Sequence, residues 1–131
     1  MKTVLITGGA RGIGKGIAEA FLKQGYKVCI IYNKSRESAE KLAQRGVLIR
    51  RADVGRFDEV DFAVESLLAE AHHIDVLINN SGISQQTLFT DITPEMWERM
   101  IRTNLTGVFN CTKAVLPQMI TNKSGRIINI S

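Results

Sequence analysis

The sequence predicts an α/β domain built on a doubly wound parallel sheet, and three observations carry that expectation. Short β-branched apolar runs alternate with amphipathic stretches along the chain, and a glycine-rich turn follows the first run. The runs also recur at the spacing of strand–helix–strand units with right-handed crossovers. At roughly 30 residues per unit, 131 residues hold about four to five strands.

Each element follows from its residues. Thr3 to Thr7 (TVLIT) is continuously apolar and β-branched, as suits a strand buried on both faces, and it stops at Gly8-Gly9. Ile13, Ile17, Ala20 and Phe21 then fall at helical spacing, with Lys15, Glu19 and Lys23 opposite and Gly25 as a stop. Val28 to Tyr32 reads as the second strand and Ser35 to Gln44 as the second helix. Val47 to Arg51 is the third strand. Asp58 to Ala71 is the third helix, with Phe62, Leu67 and Leu68 among its apolar positions and His72-His73 at its end. Val76 to Asn79 is the fourth strand. Thr93, with Pro94 behind it, caps a long helix that runs to about Ile120, on which Met96 and Trp97 read as packing residues. Gly125 then turns the chain into a fifth strand, Arg126 to Ile130.

Composition narrows the function classes. The chain is 44% hydrophobic and 23% charged, which belongs to a packed globular protein. A net charge of +4 without clustering suits an anionic small ligand and gives little support to a nucleic-acid partner. No apolar run is long enough to span a membrane, and the run from Thr3 to Gly8 is too short for a signal peptide. Cys29 and Cys111 each sit in an apolar segment and lack metal spacing. They read as buried free thiols of a cytoplasmic protein without a resident metal.

The turn Thr7-Gly8-Gly9-Ala10-Arg11-Gly12-Ile13-Gly14 joins the first strand to the first helix. Glycines let the backbone turn sharply and approach a pyrophosphate, whose charge meets free N–H groups at the helix start. A phosphate-hydrolysing P-loop needs a hydroxyl after Gly-Lys, and here Gly16 follows Lys15. The pattern that fits is TGxxxGxG. An NAD site offers a carboxylate about 20 residues past the loop. That count lands on Tyr32, followed by Asn33-Lys34-Ser35-Arg36, and the first acid is Glu37. Lys34, Arg36 and Arg11, with Asn33 beside them, would welcome a 2′-phosphate, so NADP(H) is expected over NAD(H).

Five motifs in order carry a resemblance over the whole chain. They are TGGARGIG, Asp53-Val54, Asn79-Asn80-Ser81-Gly82, Asn104 in Thr103-Asn104-Leu105, and Gly125 to Ser131 (GRIINIS). The sequence resembles the short-chain dehydrogenase/reductase family, which implies an NAD(P)(H)-dependent oxidoreductase on a Rossmann-type sheet. By that resemblance Gly8, Arg11, Gly12, Ile13 and Gly14 would hold the pyrophosphate and adjacent ribose, and Asp53 and Val54 would contact the adenine. Asn80, Ser81 and Gly82 would border the adenosine and nicotinamide side, although the family usually has Ala at the Ser81 position. Asn104 would bend its helix and hold a water that relays protons.

The family activates its substrate carbonyl with a serine, a tyrosine and a lysine. Ser131 matches the serine before the catalytic one, and no Tyr-x-x-x-Lys occurs in the chain. Residues 1–131 are therefore expected to form an NAD(P)-binding domain incomplete at its C-terminus, inactive alone, whose full-length parent is an enzyme. Within the family the resemblance is greatest to 3-oxoacyl-(acyl carrier protein) reductases, so the expected substrate is a ketone, small or carrier-bound, reduced to an alcohol. Lys113, Lys123 and Arg126 would face the acidic carrier, and the 94–120 helix would pair copies into a homo-oligomer. A sugar or steroid alcohol dehydrogenase and a non-catalytic dinucleotide-binding fragment remain as alternatives.

Overall fold

The computed structural model describes residues 1–84 and 86–131. The apolar runs become five parallel strands: β1 (Thr3–Thr7), β2 (Lys27–Tyr32), β3 (Leu48–Arg51), β4 (Val76–Asn79) and β5 (Arg126–Asn129). The helices between them are α1 (Gly12–Lys23), α2 (Arg36–Ala43), α3 (Phe57–Ala71), α4 (Pro94–Ile101) and α5 (Gly107–Asn122). In space the order is β3-β2-β1-β4-β5. The chain winds one way from β1 to β3 and then crosses back for β4 and β5. The order thus reverses beside β1, and open α/β sheets bind ligands in the crevice beyond the strand ends at such a reversal.

Register decides which side chains face which layer. Val4, Leu5 and Ile6 lie opposite Val28, Cys29 and Ile30 on one side and opposite Val76, Leu77 and Ile78 on the other. Successive strand side chains point to opposite faces. Leu5, Cys29, Ile31 and Leu77 therefore join Val60, Val64 and Leu67 of α3 and Val115 and Met119 of α5. Val4, Ile6, Val28, Ile30 and Ile78 meet Ala18 of α1 and Ala39 and Leu42 of α2. With both faces covered, β1, β2 and β4 have no polar alternation to show, whereas β5 at the sheet edge is exposed along its length. Each buried Val, Leu or Ile contributes about 1.5–3 kcal/mol.

Three packing expectations change. On α1 the buried residues are Gly14 and Ala18, while Ile13 is 69% exposed and Ala20 is exposed. The helix comes closest to the sheet at these small residues, with Ile17 and Phe21 packing beside them, so the apolar stripe is rotated away from Ile13 and Ala20. On α3, Val60, Ala63, Val64 and Leu67 form the i, i+3, i+4, i+7 stripe. Phe62 lies across the helix from it and is 76% exposed. Trp97 is also exposed, on a helix with no fully buried residue.

The long helix is capped as its sequence predicts: Thr93 Oγ1 accepts the Met96 N–H at 3.1 Å, and Pro94 opens the first turn. It is not continuous, however. A π-helical turn, Arg102–Thr106, separates α4 from α5, which ends where Lys123 adopts a left-handed φ of 53°. The turn thus begins two residues before Gly125, whose backbone instead lies against the Met119 side chain. Side-chain amides stitch this helix to the sheet. Gln118 accepts the Ile74 N–H at 3.2 Å and donates to the Ile74 carbonyl at 2.7 Å. Asn79 donates to Thr112 Oγ1 at 3.2 Å and to Asn129 Oδ1 at 2.9 Å. Among the described residues no helix is long and apolar enough to cross a membrane.

Cys29 and Cys111 are buried and unpaired. Burial pushes both thiols up from an ordinary value of 9.0 to about 12. The folded state therefore holds these protons after the unfolded state has begun to lose them. Their contribution to stability is complete below pH 9 and is lost as pH climbs toward 12. Urea midpoints should fall across that window, and Cys29→Ala with Cys111→Ala should flatten the fall. A thiol reagent at pH 8 should modify neither residue until urea unfolds the chain.

Candidate functional site

The site begins at the C-terminal end of β1. Thr7 is buried, and its hydroxyl accepts the N–H groups of Asn80 and Ser81, each at 3.0 Å. This ties the end of β1 to the turn that follows β4. Asn80 returns the tie by donating its side-chain amide to the Gly8 carbonyl at 3.3 Å. Gly8 has φ +65°, and a Cβ there would stand 3.2 Å from both Asn80 Nδ2 and Ser81 Cα. A Cβ on Gly14 would overlap the Gly8 carbonyl oxygen, so α1 packs directly onto the turn. Gly12 differs: it has φ +57°, and a side chain there would project into open space.

Beyond the strand ends lies an open cleft of about 510 Å³, within the usual range of cofactor sites. Gly8, Ala10 and Arg11 form its wall at the glycine turn, and Tyr32, Asn33, Lys34 and Ser35 form the wall after β2. Ala52, Asp53 and Val54 close the end after β3. Asn80, Ser81, Gly82, Ile83 and Ser84 follow β4, and Arg99 and Thr103 reach in from the long helix. Nine residues marked in the sequence thus line one cavity: Gly8, Arg11, Asn33, Lys34, Asp53, Val54, Asn80, Ser81 and Gly82. Gly12, Ile13, Gly14, Arg36 and Asn104 stand outside its wall. Arg36 is engaged in an exposed pair with Glu40 at 3.0 Å, which raises its pKa further.

Asn104 acts on the wall through Ile83. Its Oδ1 accepts the Ile83 N–H at 2.8 Å and its Nδ2 donates to the Ile83 carbonyl at 2.8 Å. Both ends of the amide are engaged in holding this turn. Asp53 shapes the opposite end by accepting the Gly55 N–H at 2.9 Å. Buried Asn110 donates to the Val54 carbonyl at 2.8 Å.

Sequence reasoning missed a bracing network. Arg51 donates to Asn33 Oδ1 at 2.6 Å and to Glu59 Oε1 at 2.8 Å. The same Glu59 oxygen accepts the Asp53 N–H at 3.0 Å, and its other oxygen pairs with Arg56 at 3.0 Å. The Arg51–Glu59 pair therefore joins the loops after β2 and β3. Only the strand register, with Arg51 opposite Tyr32, brings these residues together.

Fold and cleft define an open-sheet α/β domain with its ligand crevice at the reversal of strand order. A family model described as short chain dehydrogenase matches residues 2–131, and the chain belongs to that family. It is similar to the 3-oxoacyl-[acyl-carrier-protein] reductase of Synechocystis sp., 44% identical over 99% of this chain and 55% of the relative. Among solved structures it is similar to a short-chain dehydrogenase from Streptomyces avermitilis (TM-score 0.91, 30% identity, 99% of this chain and 48% of that one). It is also similar to a gluconate 5-dehydrogenase from Burkholderia cenocepacia in complex with NADP and tartrate (TM-score 0.88, 34% identity, 98% and 52% coverage). The chain spans about half the length of the curated relatives it matches.

The glycines divide by what surrounds them, and stability measurements should show it. Gly14→Ala must displace the Gly8 carbonyl and is expected to cost about 1–3 kcal/mol. Gly16, on the same helix, has nothing within 4 Å of a built Cβ. Gly16→Ala should instead add about 0.5–1 kcal/mol. Paired urea melts decide between these signs.

Proposed function

We propose that residues 1–131 form the NADP(H)-binding domain of a short-chain reductase that converts a ketone to an alcohol, with a 3-oxoacyl thioester as the substrate class. The observation that carries this reading is the wall after β2, where Tyr32, Asn33, Lys34 and Ser35 face the cleft without a carboxylate. A carboxylate there would accept both ribose hydroxyls and repel a 2′-phosphate. Lys34, with Arg11 across the cleft, attracts that phosphate.

The remaining groups also fit a dinucleotide. The open space at Gly12 leaves room for a pyrophosphate beside the start of α1, whose first turn has no acidic residue to oppose an anion. Gly8, Arg11, Gly12, Ile13 and Gly14 would hold the pyrophosphate and its ribose, and Asp53 and Val54 would border the adenine. Asn80, Ser81 and Gly82 would lie along the path to the nicotinamide, which when bound supplies the reducing equivalents. Arg36 can join Lys34 once it leaves Glu40, a release that costs little for an exposed pair. Asn104 holds the Ile83 turn, so its proposed part in a proton relay falls to its backbone.

The 3-oxoacyl reading is supported by the relative from Synechocystis. The gluconate 5-dehydrogenase likeness favours a sugar alcohol as the second reading. We place the protein in the cytoplasm and expect copies to pair along the 94–120 helix. Leu105, Phe109 and Ile120 stand exposed there, as apolar interfaces require.

Two experiments test this reading. Calorimetry should show Lys34→Ala together with Arg36→Ala weakening NADPH binding by about 1.5–3 kcal/mol while NADH binding barely changes. Equal losses for both cofactors would remove the 2′-phosphate assignment. The 131-residue chain should also associate in light scattering and fail to oxidise NADPH with a 3-oxoacyl thioester, since it carries no Tyr-x-x-x-Lys pair. Turnover near that of a full-length relative would overturn the division of labour proposed here.

A further inference from the structure

We infer that Asn110 is a positioning residue for the adenine end of the cleft, acting through the Val54 carbonyl. The inference rests on the dinucleotide reading above and adds a residue that none of the five motifs contains. Asn110 is 2% exposed, and its Nδ2 donates to the Val54 carbonyl at 2.8 Å. Val54 itself lines the cleft. A buried amide that leaves its own helix to satisfy a distant loop carbonyl fixes that loop's position, because breaking the bond strands both groups.

Two further contacts make the clamp specific. A Cβ on Gly107 would come within 2.7 Å of Val54 Cγ2, so α5 presses directly on the Val54 side chain. Arg102, in the π-helical turn, lies across Gly55, where any Cβ would collide with its side-chain carbons. The Asp53–Gly55 loop is thus held by this helix at two successive residues: at Val54 through both carbonyl and side chain, and at Gly55 through its open face. Asn104 on the same helix holds Ile83 through both ends of its amide. One helix therefore sets the distance between the two ends of the cleft. Asn104 controls the end beyond β4 and Asn110 the end beyond β3.

The probes are ADP, which engages the adenine end and the glycine turn, and inorganic diphosphate, which engages the glycine turn alone. Both are titrated by amide NMR into the 131-residue chain and into Asn110→Leu and Gly107→Ala. Wild type should bind both probes, with shifts at Gly12 and, for ADP only, at Val54. Asn110→Leu should raise the dissociation constant of ADP about tenfold and leave that of diphosphate within about twofold. Gly107→Ala should act in the same direction without removing any hydrogen bond, and it carries the test if Asn110→Leu fails to fold. Parallel weakening of both probes would mean that Asn110 serves only the general fold, and the inference would fall. Unchanged ADP binding in Gly107→Ala or in a folded Asn110→Leu would also overturn it while leaving the dinucleotide reading intact. A wild-type chain that binds neither probe would instead overturn the dinucleotide reading, and this inference with it.

Discussion

The Thr7 hydroxyl is the contact on which the site depends. The strand order extends both ways from β1, so the connections leaving β1 and β4 diverge beyond the strand ends and open a crevice that nothing in the β-ladder itself closes. Thr7 closes it from below by accepting two successive backbone N–H groups, those of Asn80 and Ser81. Those amides lie beyond the ladder and are part-buried, where an unpartnered N–H would be costly. With them held, the Asn80 side chain can reach Gly8, and Gly8 can carry α1 at close range through Gly14. One β-branched residue thus aligns the glycine turn with the turn after β4.

The electrostatics of the cleft follow from which charges are already occupied. Glu59 is bonded to the loop after β3 directly and to the loop after β2 through Arg51. Its oxygens are taken by Arg51, Arg56 and the Asp53 backbone. Arg51 is in turn spent on Glu59 and Asn33, so it stiffens the loop after β2 without adding free positive charge. Lys34 and Arg11 face the cleft with no acidic partner among the described residues. The surplus cation density therefore lies where the loops are braced from behind.

Strands and the glycine turn were legible in the sequence because each obeys a local rule. A run buried on both faces has no alternation, and a turn with φ +65° and +57° at two positions favours glycine. Element limits moved by only a residue or two, as at Ser35, which precedes α2, and Val47, which precedes β3. Which face of α1 turns inward was legible only in part. Ile17 and Phe21 pack against the core as their spacing predicts, but the innermost positions are Gly14 and Ala18, and Ile13 and Ala20 turn outward. Phe62 and Trp97 misled for a related reason, since periodicity marks apolar residues without saying whether a partner layer reaches them. The Arg51–Glu59–Asn33 brace and the Asn110 clamp were invisible because each joins elements far apart in the chain. The Asn104 interruption was visible as a poor helix former in an apolar stretch, but the engagement of both ends of its amide with Ile83 was not.

A π-turn holds one residue more than the α-turn it replaces, and here that surplus residue sets the phase of everything after it. Each residue of an α-helix turns the next by about 100°. Were Arg102–Thr106 one residue shorter, α5 would be rotated by that angle relative to α4. Asn110, Val115, Gln118 and Met119 would then face away from Val54, the core and Ile74, and Cys111, Leu116, Met119 and Ile120 would take their places, leaving the Val54 and Ile74 backbone without amide partners. The two halves of this helix are in effect two gears meshed to different surfaces, α4 to the mouth of the cleft and α5 to the sheet. The single extra residue is the offset that lets both engage at once.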